Sequence, residues 1–259
     1  MSSLPEDLYR DILLRVPAES LLASTREYKE MPKLSIEFKS GCHVCLHALG
    51  YDHKNDDYKF AIGVAPHESR CLILIYKLSS NSWKTEKTIP YFFTLMQTAG
   101  VLVNGDFHWL AVVPSRFVVL SLDISDESFN EMQLPDGLKE KNKDLRMVLG
   151  VLEGCLCALV SSYVNEIKIG YEVWKMLDYG VRESWTKLYV IAHESIISDN
   201  HYFRLVWSSK NGDILLLSCD SLVLYDPKHE SARELNINDI PFLNAENYFK
   251  SIVSLNSGT

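Results

Sequence analysis

The sequence predicts an all-β protein, a β-propeller-like repeat domain with an incomplete ring behind a short α-helical N-terminus. Three observations carry this: one complete strand–turn unit, copies of its turn elsewhere, and an anchor residue recurring in phase. The unit is Gly100–Pro135. Val101–Val103 is a β-branched run, and Asn104-Gly105 suits a type I′ turn, whose two central residues both need φ > 0. Phe107–Val113 runs back, and Phe117–Asp123 is a third strand rich in Val and Leu. Ser125–Ser128 is a polar turn, Phe129 an aromatic anchor, and Pro135 closes the unit.

Asn211-Gly212-Asp213 copies the Asn104-Gly105-Asp106 turn. Glu153-Gly154-Cys155 is a weaker copy between Met147–Leu152 and Leu156–Val160, and Asn55-Asp56-Asp57 takes the same place before Tyr58–Val64. The aligned anchors are Trp83, Phe129, Trp185 and Ala232. They recur at about 50-residue intervals, the period of a propeller blade. Four blade units are expected to open near residues 50, 98, 146 and 203. A generic β-sandwich would also have strands and core aromatics, but not turn and anchor in phase.

With 259 residues the chain can bury a sizeable core. It is 47% hydrophobic and 23% charged, as soluble globular proteins are. A net charge of −8 argues against nucleic acid or an anionic membrane as the main partner. No apolar stretch is long enough to span a bilayer, and MSSLPEDLYR is acidic early and lacks a signal-peptide core. Six cysteines in a chain this long are not a disulfide framework, so a reducing compartment, cytoplasm or nucleus, is expected.

Leu4–Leu22 differs from the rest. Pro5 and Glu6-Asp7 suit a first helical turn, where proline loses no needed N–H and carboxylates meet the positive dipole end. Leu8, Ile12 and Val16 recur at helical spacing, and Leu13 and Leu14 widen the stripe. Pro17 stops this helix and opens a second short one over Ala18–Leu22. Such a pair is too small to bury its own apolar face, so it must pack on the β domain or on another protein.

Leu4-Pro5-Glu6-Asp7, Ile12-Leu13-Leu14-Arg15-Val16-Pro17 and Ser20-Leu21-Leu22 resemble the start of an F-box. Beyond them, STREYKEMP (Ser24–Pro32), GYDHKNDDYKF (Gly50–Phe60), LVNGDFHWLA (Leu102–Ala111), ISDESFNEMQLP (Ile124–Pro135), VWKMLDYGVRESWTKLY (Val173–Tyr189) and YFKSIVSLN (Tyr248–Asn256) resemble the F-box-associated domain of plant F-box proteins, a kelch-like propeller. The resemblance divides the chain into a truncated F-box, 1–22, and an F-box-associated propeller domain, 23–259. The segment forming the family's third F-box helix is absent, with Ala23-Ser24-Thr25 following directly. Tyr28 is a fifth anchor with no turn-and-strand half before it, which looks like an internal deletion, a spliced form or a degenerate gene copy, and Ser251–Leu255 can add a strand to that partial blade.

The candidate chemistry is sparse. Cys42-His43-Val44-Cys45 with His47 could begin a zinc site, but no second matched pair follows, and packing is expected. Cys155 and Cys157 point to one sheet face. His108 and Trp109 match structural positions of the family, and Asn55–Asp57 reads as turn chemistry, not a Ca²⁺ loop. No catalytic, cofactor or metal site is expected. A propeller hydrolase or oxidoreductase would need acidic or metal-binding residues at matched blade positions, and none recur.

The resemblance implies a substrate-recognition subunit of an SCF-type ubiquitin ligase. Leu4, Pro5, Leu8, Ile12, Leu13, Val16, Pro17 and Leu21 would dock on a Skp-type adaptor and through it a cullin. The propeller would hold an unknown protein substrate on the loops of one rim. The alternatives are a protein-binding propeller, or an inactive truncated form, without the ligase link.

Overall fold

The computed structural model describes residues 31–33, 42–66, 70–94, 97–114, 116–139, 146–164, 167–197, 203–209, 212–217 and 222–234. They form four antiparallel sheets, each one propeller blade. Blade 1 is β1 (Cys42–Asp52), β2 (Asp57–Pro66), β3 (Cys71–Lys77) and β4 (Ser82–Ile89). Blade 2 is β5 (Phe92–Phe93), β6 (Val101–Val103), β7 (Asp106–Val113), β8 (Arg116–Asp123) and β9 (Ser128–Met132). Blade 3 is β10 (Met147–Leu152), β11 (Cys155–Val164), β12 (Ile167–Met176) and β13 (Trp185–Ile191). Blade 4 is β14 (Arg204–Ser208), β15 (Ile214–Leu217), β16 (Leu222–Asp226) and β17 (Ser231–Glu234). Blade 1 opens at Cys42 rather than near residue 50, because Cys42–Asp52 is itself the first strand.

The local chemistry repeats. Between β6 and β7, Asn104 and Gly105 have φ 54° and 86°; between β10 and β11, Glu153 and Gly154 have φ 51° and 76°. Both are the two-residue type I′ turns the sequence calls for. A second turn recurs where an aspartate ends a strand. Asp52, Asp123 and Asp226 each accept hydrogen bonds from the backbone N–H groups two and three residues on, at 2.7–3.2 Å. The fourth turn residue is left-handed, with φ 52° at Asp56, 56° at Glu127 and 50° at Glu230. Aspartate suits this because its short side chain substitutes for the missing strand partner.

The burial pattern explains the composition. Three core clusters lie between successive blades. Trp109, Ile73 and Leu120 belong to the first, Leu110, Leu149 and Trp185 to the second, and Val173, Phe203 and Leu216 to the third. Inner strands are covered on both faces, so β3 and β10 read as nearly continuous apolar runs. Outer strands such as β9 keep an exposed alternation.

At the centre, Gly100 N–H donates to the His47 carbonyl (2.7 Å) and His47 N–H to the Thr98 carbonyl (2.8 Å), joining β1 to the entry of blade 2. A Cβ at Gly100 would sit 2.7 Å from the Trp109 ring, so only glycine fits there. The buried Gln97 amide then bridges to blade 3, accepting from Leu149 N–H (2.7 Å) and donating to its carbonyl (2.9 Å).

Of the anchors, Trp185 is buried, whereas Trp83, Phe129 and Ala232 are half-buried. Trp83 thus departs from the fully packed anchor its position suggests. It rests on Phe60 and Tyr76 of its own blade, and its indole N–H donates to the Pro32 carbonyl at 2.8 Å. The Trp185 indole donates to the Gln133 carbonyl at 3.2 Å in the equivalent way. Each tryptophan therefore ties its blade to the chain segment closing the unit before it.

Candidate functional site

Every blade has two rims. One carries the β1–β2, β3–β4, β6–β7, β8–β9, β10–β11 and β16–β17 turns, and it is stitched by buried polar ties between blades. Lys59 Nζ lies 2.9 Å from Asp52 Oδ2 in its own blade and 2.8 Å from Glu127 Oε1 in blade 2, and donates to the Ile124 carbonyl at 2.7 Å. Ser125 Oγ donates to Asp52 Oδ1 (2.7 Å) and Asn55 Nδ2 to Asp52 Oδ2 (2.7 Å). Burial alone would raise the Asp52 carboxyl, but Asn55, Ser125 and Lys59 outweigh it and hold the group well below the carboxylate range. Burial likewise works against Glu127, and Lys59 and Lys77 bring it down to about 2.

The next pair of blades repeats the tie with different groups. Tyr179 of blade 3 lies with its hydroxyl 2.8 Å from Asp106 Oδ2 and 2.8 Å from His108 Nε2 in blade 2. His108 Nδ1 donates to the Val101 carbonyl at 3.1 Å, and the single Tyr179 proton goes to Asp106. Burial lowers the His108 pKa, against the pull of the Val101 hydrogen bond. These contacts join blades 2 and 3 along this rim. No set of three or more potential metal-binding side chains converges among the described residues.

The opposite rim carries the other ends of the same strands. Blade 3 projects from it. β10 pairs β11 only from Leu152↔Cys155 to Met147↔Val160, and β13 pairs β12 only up to Tyr171↔Ile191. Past those points β11 and β12 run on as a two-stranded ribbon, ending at Val164↔Ile167. Its residues Tyr163, Val164, Ile167 and Ile169 are 40%, 53%, 69% and 38% exposed. At the ribbon's foot lies a recess of about 10 Å³, room for about one water, lined by Arg146, Leu159, Ser161, Tyr171 and Phe203 among others. The Lys168 ammonium sits at its edge, 2.7 Å from the Tyr171 hydroxyl and 4.3 Å from the ring centre. Burial pushes the Tyr171 phenol up to about 12, opposed by the nearby Arg146 charge.

Leu4, Pro5, Leu8, Ile12, Leu13, Val16, Pro17 and Leu21, the residues expected to meet an adaptor, lie outside the described residues, as do Tyr28 and Ser251–Leu255. Cys45 and Cys71 are buried with their sulfurs 2.9 Å apart, meeting above Gly63, where a side chain would clash with Leu46 and Cys71. Cys157 packs in the core between blades 3 and 4, and the half-buried Cys155 lies on the same strand. His108 and Trp109 are fully buried in β7. Sequence reasoning missed Asp52, Lys59 and Glu127, which come together from two blades. It missed the ribbon too, whose signal was an apolar alternation outrunning the strand beside it.

A family profile for the F-box associated beta propeller domain matches residues 24–252. The chain is similar to the Arabidopsis thaliana "F-box protein CPR1", 30% identical over 84% of this chain and 59% of that protein. It is similar to the Arabidopsis "F-box protein At3g07870", 34% identical over 67% of this chain and 44% of that protein. "F-box protein At4g22390" of the same plant is 25% identical over 80% of this chain and 57% of its own length. The chain thus spans about half the length of these curated relatives.

Proposed function

Because the chain belongs to the family of F-box associated β-propeller domains, we propose that it is a non-enzymatic substrate-recognition subunit of an SCF-type ubiquitin ligase. The observation that carries this reading is the family match over residues 24–252, preceded by the F-box-like Leu4–Leu22. In this reading the propeller holds a protein target on the loops of one rim, Leu4–Leu22 engages a Skp-type adaptor, and ubiquitin transfer belongs to other subunits. The exposed apolar residues Tyr163, Val164, Ile167 and Ile169 of the blade 3 ribbon support that division. The complex would work in the cytoplasm or nucleus.

The F-box-like stretch keeps Leu8, Ile12, Leu13 and Val16 but lacks the sequence of the family's third helix. A helix pair without that brace must be ordered on binding, which costs affinity. Titration calorimetry against purified adaptor tests the reading. The expected result is binding about tenfold weaker than that of an intact F-box, roughly 1.4 kcal/mol. Leu8→Asp with Ile12→Asp is expected to abolish it, because two charges would enter an apolar groove. No heat signal from the parent at high concentration would refute the ligase link, and affinity equal to an intact F-box would refute the need for the third helix.

A further inference from the structure

Blade 1 brings together two thiols that lie 26 residues apart in the chain. Three features of the fold make them meet. First, the register of β1 on β2 shifts between Val44 and Leu46, so Cys45 is the extra residue of a bulge. Strict alternation would send Cys45 and Leu46 to opposite faces. The bulge turns both into the core between blades 1 and 2, while Val44 packs on the other face. Second, Cys71 opens β3 and enters that same core. Third, the strand between them, β2, offers only small residues there. Ala61 and Ala65 belong to the core, and a Cβ at Gly63 would lie 2.5 Å from Leu46 Cγ and 2.6 Å from Cys71 Sγ. Side chains of β1 and β3 therefore reach over the middle strand, and the two sulfurs meet at 2.9 Å. A disulfide holds its sulfurs at about 2.0 Å, so this pair is less than about 1 Å from bonding distance.

We propose that Cys45 and Cys71 are a redox-responsive pair, oxidised by a small-molecule disulfide to a bridge that locks β1 to β3 across β2. β1 pairs only β2 within its sheet, whereas Cys71 lies on an inner strand, so local opening of β1 bares Cys45 first. Its thiol loses a proton, and the thiolate attacks one sulfur of glutathione disulfide, expelling one glutathione thiolate. While β1 is still open, Cys71 loses its proton and attacks the Cys45 sulfur of the mixed disulfide, expelling the second glutathione. The cysteines give up two electrons and two protons, and glutathione disulfide takes up both to become two glutathione thiols. In the closed fold the contact with Cys45 and burial push the Cys71 pKa well up, so exchange waits on opening. The same burial, 2% exposure at Cys45 and 0% at Cys71, then shields the bridge from reductants. The lock reaches beyond blade 1, because His47, two residues past Cys45, holds the entry of blade 2 through Thr98 and Gly100. The bridge requires nothing of the ligase link.

The test incubates the full chain, reduced and then freed of reductant, with glutathione disulfide at neutral pH until its composition is constant. Free thiols are blocked with N-ethylmaleimide, and all six cysteines are mapped by peptide mass spectrometry. The expected product is a Cys45–Cys71 bridge, formed faster in urea below the unfolding midpoint. It should persist in Cys42→Ser and be absent in Cys45→Ala. The bridged chain is expected to melt roughly 5–10 °C above the reduced chain. Dithiothreitol should reduce the bridge at least about tenfold more slowly in the fold than in denaturant. Mapping and melting of the parent chain decide the matter even where Cys45→Ala fails to fold. An unbridged pair at constant composition, glutathione left on Cys45 or Cys71, a bridge to any other cysteine, or a bridged chain melting no higher than the reduced one would each overturn the proposal.

Discussion

Replacing Lys59 with methionine probes the seam between blades 1 and 2. Methionine fills similar space without the charge, so the change isolates the ion network. The side chains of Asp52, Lys59 and Glu127 are 0%, 4% and 9% exposed, and the ammonium serves both carboxylates and the Ile124 carbonyl. Removing one partner of a buried pair typically costs about 3–5 kcal/mol, because the opposite charge stays buried and uncompensated. Here Glu127 keeps Lys77 and Asp52 keeps Asn55 and Ser125, which places the loss near the lower end, about 3 kcal/mol. For a chain of this size that lowers the melting temperature by roughly 6–12 °C. Circular dichroism at neutral pH measures it. The pH dependence adds a second readout. Glu127 titrates at about 2 in the fold, against 4.5 ordinarily. Its contribution is fully present above the unfolded value and is lost as pH falls from about 4.5 toward 2. The gap between parent and Lys59→Met should therefore narrow across that window. A variant melting within about a degree of the parent, or a gap unchanged in acid, would refute the account of this network.

Two further outcomes are expected. Trp185→Ala removes a buried ring and the hydrogen bond to Gln133, and should cost about 3–5 kcal/mol in urea unfolding, whereas Trp83→Ala, at a half-buried site, should cost less. Burial lowers the His108 pKa, so its contribution is present above the unfolded value near 6.5 and is lost as pH falls below it; His108→Gln should flatten the stability profile below about pH 6.5.

The repeating turns, the strand order within each blade and the propeller class follow from local rules. Asn104-Gly105 and Glu153-Gly154 occupy φ > 0 because their own backbones tolerate it, and the apolar runs of β3 and β10 announce two covered faces wherever they fold. What lay beyond reach of the sequence are the meetings between blades. Lys59 reads as an ordinary strand lysine until blade 2 brings Glu127 and the Ile124 carbonyl over it. Gln97 reads as a polar loop residue until its amide pairs with the Leu149 backbone. The exposure of Tyr163, Val164, Ile167 and Ile169 follows only from β10 and β13 stopping short beside them. Turn type depends on neighbours one to three bonds of backbone away, and sequence holds that information. Charge pairing and exposure depend on which strand lies alongside, and only the tertiary packing of one blade on the next decides it.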